Sequence, residues 1–552
     1  MKIGIYLGYA PYFEKISLRQ EGLGRYISFL LKGFVESGNQ LIIACPKWVK
    51  PLLEELFEEQ DIDTTQIELL MPASNPVIFD ALRFFFNRSN IKKRKRKEFP
   101  KVFLSFADSI MDILISIRHI ALFVLFMLLG AVLAFIALPI CAVIALLYFG
   151  LRGILKACSV AKGKRVAIRL AKGLSERSPE LKDLFFYVLQ RWNVGNIQER
   201  VRKYSAEEVI KKINKLKYPP LVWYCPTAFW EEFNCINGTR VICVPDLVTT
   251  EFPSAFSQGD FTDVTEHVSK IIEEGTYFIT YCEYLKDNLL VGKFFKDPGQ
   301  IKVIRHAVTD MNELLNLSEY FQKFHFPMDI TRYFAKKIVL PGILGHSVNM
   351  SSYLIGVDNV NSFSFKDVKY IFYPSQTRGN KNILNLVKAF EYVLRQKNLQ
   401  LKLILTCNMN ANSDLKKYIY DHRLQYDVLC FSNVSAQQLA ALYMCAQIVV
   451  NPTLYEGGFP FTFSEAMSVG TPSIMGNIPQ NLEELEEYNL DEYLFDPYDY
   501  RDIAKKIIKG LENRDRLIAR EKEVYEVMKK RSWKHVCEEY MEAFHYFAQV
   551  NT

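Results

Sequence analysis

The chain has 552 residues, of which 49% are hydrophobic, 14% aromatic and 23% charged, enough apolar content for two or more ordinary cores and too much for a disordered chain. Its eleven cysteines and eight histidines are scattered, with no Cys-x-x-Cys and no His-x-x-x-His, which argues against a zinc site or a disulfide scaffold and for a reducing compartment. The net charge of +7 is local: residues 92–172 carry fifteen Lys and Arg against Glu98, Asp108 and Asp112, a net +12 that leaves −5 for the rest of the chain.

Residues 2–7 read as a buried strand that opens the fold directly, with no cleavable signal before it. A loop with Glu21-Gly22-Leu23-Gly24-Arg25 follows, then a helix whose Ile27, Leu30, Leu31, Phe34 and Val35 fall on one face, a stop at Gly38 and a strand at 41–45. This is the opening βαβ unit of a doubly wound sheet. Asp61-Ile62-Asp63, the one short Asp-x-Asp, sits beside Thr64-Thr65 after a run of acids and reads as a solvated turn; no metal ligand set and no cofactor is expected.

The pattern breaks at Lys92-Lys93-Arg94-Lys95-Arg96-Lys97 and gives way to Ile120–Leu151, thirty-two residues without a formal charge, well past the roughly eighteen that mark a membrane candidate. A basic stretch runs on to about Lys217, and strands resume at 221–224 and 241–244. The expected domains are therefore 1–309, interrupted at 92–217 by a basic segment with a membrane-embedded helical hairpin; a connector, 310–367; a second Rossmann-like domain, 368–510; and C-terminal helices, 511–552. Basic residues on both sides of the apolar run place the protein at the cytoplasmic face of a membrane with anionic lipids, and favour lipid over nucleic acid as the partner of those cations.

The second domain opens with a strand to Tyr373 and a helix with Ile383, Leu386, Val387, Phe390, Val393 and Leu394 on one face, and continues through a strand at 401–406. Ser435-Ala436-Gln437-Gln438 has the form of a capping box before another helix. The strand 448–450 then leads into Asn451-Pro452-Thr453-Leu454-Tyr455-Glu456-Gly457-Gly458-Phe459-Pro460-Phe461-Thr462-Phe463-Ser464-Glu465-Ala466-Met467-Ser468-Val469-Gly470-Thr471-Pro472. A strand-end glutamate followed by glycines can approach a sugar closely, and a second carboxylate in the next helix can accept hydrogen bonds from two vicinal ribose hydroxyls.

This stretch resembles the donor-binding signature of the retaining, family-four glycosyltransferases, which have the two-Rossmann GT-B fold. The resemblance implies a nucleotide-sugar-dependent hexosyltransferase, and with the apolar run and its basic flanks the expectation is a membrane-bound enzyme that acts on a lipid-linked or growing polysaccharide acceptor in the cytoplasm. It implies donor contacts at Gly457, Gly458, Phe459, Pro460 and Glu465, with Glu456 orienting the donor sugar. It also implies an Arg and a Lys on the donor diphosphate: Lys381 matches, while Gln376 occupies the usual Arg position and Arg378 is the nearest guanidinium. Gly22 and Gly24 resemble the first-domain glycine loop. Two departures stand out. Eight residues separate Glu456 from Glu465 where the family has seven, and Pro245 replaces the histidine that commonly precedes Asp246, so no histidine base carries over. Asp246 remains the candidate acid or base, and would be the base of an inverting rival. A non-catalytic membrane scaffold that binds a nucleotide-sugar is the alternative from another class.

Overall fold

The computed structural model describes residues 1–11, 18, 22–77, 79, 112–117, 120–126, 128–129, 194–253, 260–312, 369–431 and 434–551. Its strands form a seven-stranded sheet, in the order β3-β2-β1-β4-β5-β6-β7, and a five-stranded sheet, β10-β9-β8-β11-β12. In the first sheet these are β1 Lys2–Tyr6, β2 Gln40–Ala44, β3 Ile67–Leu70, β4 Val222–Cys225, β5 Arg240–Cys243, β6 Tyr277–Thr280 and β7 Ile301–Val303. In the second they are β8 Tyr370–Tyr373, β9 Lys402–Leu405, β10 Val428–Cys430, β11 Ile448–Asn451 and β12 Ser473–Met475. Most central strands are buried on both faces, as short Val/Ile-rich runs must be when helices cover a parallel sheet.

The chain divides into two compact units, one of residues 1–223 with 235–238, the other of residues 224–234 with 239–552. In the first, β1, β2 and β3 pair in parallel, joined by α1 Gly22–Glu36 and α2 Lys50–Glu59. The expected face of α1 is buried, and Gly38, at φ +73°, closes it by donating to the Val35 carbonyl. Gly4 is forced by packing: a Cβ there would lie 2.4 Å from the Trp223 ring. Helix α3, Val194–Ile213, supplies the helical basic stretch before β4. Between β3 and α3, residues 120–126 and 128–129 are helical, and Ile120, Leu122, Leu125, Leu128 and Leu129 are exposed. Among the described residues no helix is long and apolar enough to cross a membrane; most of the expected hairpin, including Gly130 and Pro139, lies outside them, as does the connector from residue 313.

In the second unit β5, β6 and β7 pair in parallel, with α4 Val248–Glu251 and α5 Asp260–Glu274 between β5 and β6. The five-stranded sheet is parallel throughout. Its helices are α6 Ile383–Lys397, α7 Ser413–Asp421, α8 Ala436–Cys445, α9 Phe461–Ser468, α10 Pro479–Leu485, α11 Tyr500–Glu512 and α12 Arg514–Met528. One apolar cluster joins α6, α11 and one face of this sheet; a second joins α8 to the other. The capping box before α8 forms as the sequence predicts, Ser435 and Gln438 each bonding the other's backbone N–H. The last helix, α13 Trp533–Val550, returns to the first sheet: Tyr540 packs edge-on against Tyr224 of β4, and Phe547 stacks on Tyr277 of β6 at 4.8 Å.

Candidate functional site

In an open parallel sheet the crevice for a ligand opens at the carboxyl ends of the strands where the order reverses. In the five-stranded sheet that point lies between β8 and β11, and the loops leaving these two strands carry the two most informative motifs. After β8 the Ser375 N–H donates to Thr406 Oγ1 at 3.0 Å, and Gly379–Lys381 winds into a 3-10 turn where a helix start is expected. Asn382 follows at φ +54°, a left-handed conformation that asparagine tolerates, and its side-chain amide donates to the carbonyls of Pro452 and Pro497. The Asn380 carbonyl accepts from the Leu454 N–H at 2.8 Å and from Thr453 Oγ1 at 3.3 Å, while the Asn380 amide donates to the Tyr455 carbonyl. These bonds fasten the two loops side by side. Lys381 Nζ thereby meets Glu456 Oε1 at 2.5 Å, with both side chains about four-fifths buried.

The two glycines after Glu456 run against the loops that leave the first sheet. A Cβ on Gly457 would lie 1.7 Å from the Pro245 carbonyl oxygen, and one on Gly458 2.8 Å from Tyr281 Cβ, so only glycine permits this approach. The Gly457 carbonyl accepts from Cys282 Sγ, and the buried Tyr455 hydroxyl accepts from the Leu247 N–H at 3.0 Å. Asp246 is thus brought beside Gly457, and into the field of Arg378, Lys381 and Glu456. Burial pushes its carboxyl above the usual carboxylate range, and Glu456 adds to this; the Val248 N–H, Arg378 and Lys381 pull the other way.

Glu465 lies in α9 with 5% of its surface exposed. Its Oε2 accepts from the Tyr443 hydroxyl at 2.5 Å. Ser468, one turn on, donates to the Glu465 carbonyl and accepts from the Met311 N–H, and Ser464 accepts from the Thr309 N–H, so the chain beyond β7 lies along α9. Pro460 precedes α9 as its buried N-cap residue, and Phe459 packs edge-on against Phe463 at 5.3 Å.

The remaining expected residues are placed as follows. Arg378 and Gln376 are exposed on the loop after β8. Gly22 begins α1 in open space, whereas Gly24 is pressed on the Leu18 carbonyl, where a Cβ would lie 2.0 Å from the oxygen; Glu21 falls outside the described residues. Asp63 caps a turn, its carboxylate accepting from the Thr65 N–H and hydroxyl, and these bonds hold it below the usual range. Motif reasoning did not single out Asn380, Tyr443, His306 or Glu483. His306 packs against Tyr281 with the ring planes inclined at 55° and the centroids 4.0 Å apart, beside Gly458, and burial together with Arg531 lowers its pKa to about 3, so the ring is neutral. Glu483 of α10 accepts the N–H groups of Glu283 and Tyr284 just past β6. A polar residue within a helix or loop carries no spacing signal of its own, and none marks these four.

Residues 358–531 match the family described as Glycosyl transferases group 1. Over this segment the chain is similar to the group 1 glycosyltransferases. Over 112 residues the chain is 28% identical to an uncharacterized glycosyltransferase of Methanocaldococcus jannaschii, a match that takes in 20% of this chain and spans 28% of that relative's length. Among solved structures it is similar to HepE from Anabaena in complex with UDP and glucose (TM-score 0.50, 11% identity, 98% of each chain covered). It is similar also to a mutant of S. aureus TarM in complex with Fondaparinux, alpha-GlcNAc-glycerol and UDP (TM-score 0.50, 12% identity, 98% of this chain and 99% of that one). The trehalose-6-phosphate phosphatase N-terminal domain of Candida albicans gives TM-score 0.51 at 9% identity, over 99% of this chain and 96% of that one. At these identities the likeness establishes the fold, two domains with parallel sheets of the GT-B type.

Proposed function

We propose that this chain is a membrane-attached glycosyltransferase that moves a sugar from a nucleotide-sugar to a lipid-linked or growing glycan, with retention of configuration. The observation that carries the reading is the junction of Lys381 and Glu456 at the reversal point of the second sheet, packed by Gly457 against Pro245. In this reading the Lys381 ammonium and the exposed Arg378 neutralise the negative charge that develops on the departing diphosphate, which lowers the barrier because the charge grows only as the bond breaks. Glu456 holds Lys381 in place and accepts a sugar hydroxyl, while Gly457 and Gly458 let the donor come close to the backbone. Glu465 accepts from the donor ribose. The departing phosphate takes the acceptor's proton, so the reaction retains configuration. UDP, present in the neighbouring HepE and TarM complexes, is the first donor nucleotide to test.

Asp246 supports a second reading. A carboxyl raised by burial and held next to Gly457 is suited to take a proton from an acceptor hydroxyl, which would invert the anomeric centre. The deciding experiment incubates the protein with radiolabelled nucleotide-sugars and a membrane extract, then determines the anomeric configuration of any product by NMR. Transfer with retention supports the first reading and transfer with inversion the second. Absence of transfer from every donor, with nucleotide-sugar still bound, would leave the non-catalytic scaffold.

Membrane attachment rests on the charge pattern of residues 92–172 and on the exposed leucines of the helical residues 120–126 and 128–129. Sedimentation with vesicles of anionic lipid tests it: the full chain should pellet with them, and a chain lacking residues 92–172 should not.

A further inference from the structure

Tyr443 is fully buried in α8, and its hydroxyl donates to Glu465 Oε2 at 2.5 Å, a short charge-assisted hydrogen bond. The phenol has little freedom to be elsewhere. Its ring stands edge-on to Phe372 of β8 at 5.1 Å, its backbone carbonyl accepts from Thr471 Oγ1 at 2.8 Å, and the preceding carbonyl, of Leu442, accepts from the Tyr370 hydroxyl at 2.7 Å. The capping box at Ser435 and Gln438 fixes where α8 begins, and thus which residue of that helix faces α9. Glu465 is held from the other side through its own backbone, whose carbonyl accepts from Ser468 Oγ.

From this geometry we propose that Tyr443 is a positioning residue for the donor: its phenol fixes the Glu465 carboxylate in the orientation that receives the vicinal hydroxyls of a nucleotide ribose, and so sets the preference for ribose over 2′-deoxyribose. The proposal rests on the donor role given to Glu465 above. A carboxylate offers about four lone-pair sites, more than the Tyr443 bond alone uses, and two vicinal ribose hydroxyls need two of them. A glutamate left to rotate would lose side-chain freedom on binding; one already held does not, and the difference appears as affinity for the ligand that needs the orientation. A tyrosine that merely satisfied a buried carboxylate would affect stability and leave ribose selectivity unchanged.

The test measures calorimetric binding of UDP, GDP and ADP, and of their 2′-deoxy counterparts, to the full-length chain and to Tyr443→Phe. The parent should bind at least one ribonucleotide, about tenfold or more tighter than its deoxy form, as a site built to hydrogen-bond a hydroxyl does. In Tyr443→Phe that ratio should fall about fivefold or more, with the loss concentrated on the ribonucleotide. An unchanged ratio in a folded Tyr443→Phe overturns the positioning role while leaving the donor assignment intact. A parent that binds nucleotides without preferring ribose, or binds none, overturns the Glu465 assignment and the proposal with it. Should Tyr443→Phe fail to fold, 3-fluorotyrosine at position 443 makes the phenol more acidic at nearly constant volume; a change in the ratio supports the proposal and an unchanged ratio overturns it.

Discussion

Lys381 Nζ and Glu456 Oε1 stand 2.5 Å apart, bringing together two loops whose residues are seventy-five positions apart in sequence. The pair joins the loop after β8 to the loop after β11 beside the bonds that Asn380 and Asn382 make between them. Each charge is mostly withdrawn from water, so removing either partner leaves the other without its counter-charge in a place that solvates it poorly.

Lys381→Ala and Glu456→Ala should therefore each lower kcat/KM for transfer by at least about tenfold, the scale of a lost charge-assisted contact of ~1.5–3 kcal/mol. The double variant should be little worse than the poorer single one, because the second substitution removes a group already deprived of its partner. Circular dichroism on all three verifies folding. Additive losses would show that the two residues act at separate points.

Gly457 makes a separate prediction about shape. An alanine there would place Cβ 1.7 Å from the Pro245 carbonyl oxygen and 2.8 Å from its carbon, atoms of a backbone that cannot swing aside. Gly457→Ala should cost about 1–3 kcal/mol of stability, as overpacking does, and remove most transfer. Gly22→Ala, whose added carbon meets nothing within 4 Å, is the control and should keep the parent's melting temperature. A thermal melt of each variant checks both.

The buried carboxyl groups predict a pH dependence. Glu521 of α12 is 2% exposed and accepts from the Ser473 N–H; burial raises its carboxyl well above its ordinary 4.5. The folded chain thus keeps a proton that the unfolded chain gives up. The stability this contributes is fully present below the unfolded value and is lost as pH rises through the folded one. Glu521→Gln should accordingly gain on the parent from about pH 4.5 upward, at no more than about 1.4 kcal/mol per pH unit. Asp246→Asn should behave with the same sign, from the ordinary value of 3.8 upward. Urea unfolding between pH 4 and pH 8 measures both; a variant that loses ground as pH rises would contradict the assignment.

Much of the fold was legible because its signals are periodic. Buried parallel strands read as short apolar runs, and the one-sided faces of α1 and α6 follow from the 3.6-residue repeat. The capping box of α8 was legible because its hydrogen bonds are local, three residues apart. Lys381 and Glu456 could be named from their loops, yet nothing in the chain indicates that they bond to each other, since that depends on Asn380 and Asn382 fastening one loop to the other. Tyr443 illustrates the limit. It occupies an ordinary apolar position of α8, and only the packing of α8 on α9 turns its hydroxyl toward Glu465. The return of α13 to β4 and β6 was invisible for the same reason: an amphipathic helix reveals that it buries a face, but not against what.

The proposed membrane attachment carries a topological consequence. β3 ends at Leu70, before the basic segment, and β4 begins at Val222, after it, yet both belong to one sheet with β2 and β1 between them. A polypeptide that crossed a bilayer once between these strands would leave them on opposite sides, so the apolar run should enter and leave on the same side. In the proposed hairpin, the thirty-two uncharged residues would divide into two limbs of about sixteen, each ~24 Å long at 1.5 Å per residue against a hydrocarbon core of about 30 Å. Under the positive-inside tendency the proposal puts the flanking cations, Lys92 to Lys97, Lys101 and Arg118 on one side and Arg152, Lys156, Lys162, Lys164 and Arg165 on the other, in the cytoplasm. Single cysteines at Lys101 and Lys162 test this with an impermeant maleimide on intact cells and on inverted vesicles. Among the described cysteines only Cys235 is exposed, so replacing it, together with Cys141 and Cys158 near the labelled sites, gives a quiet background without disturbing the buried thiols. Both positions should label from the cytoplasmic side alone. Labelling from opposite sides would defeat the hairpin, because a single crossing is incompatible with β3 and β4 sharing a sheet.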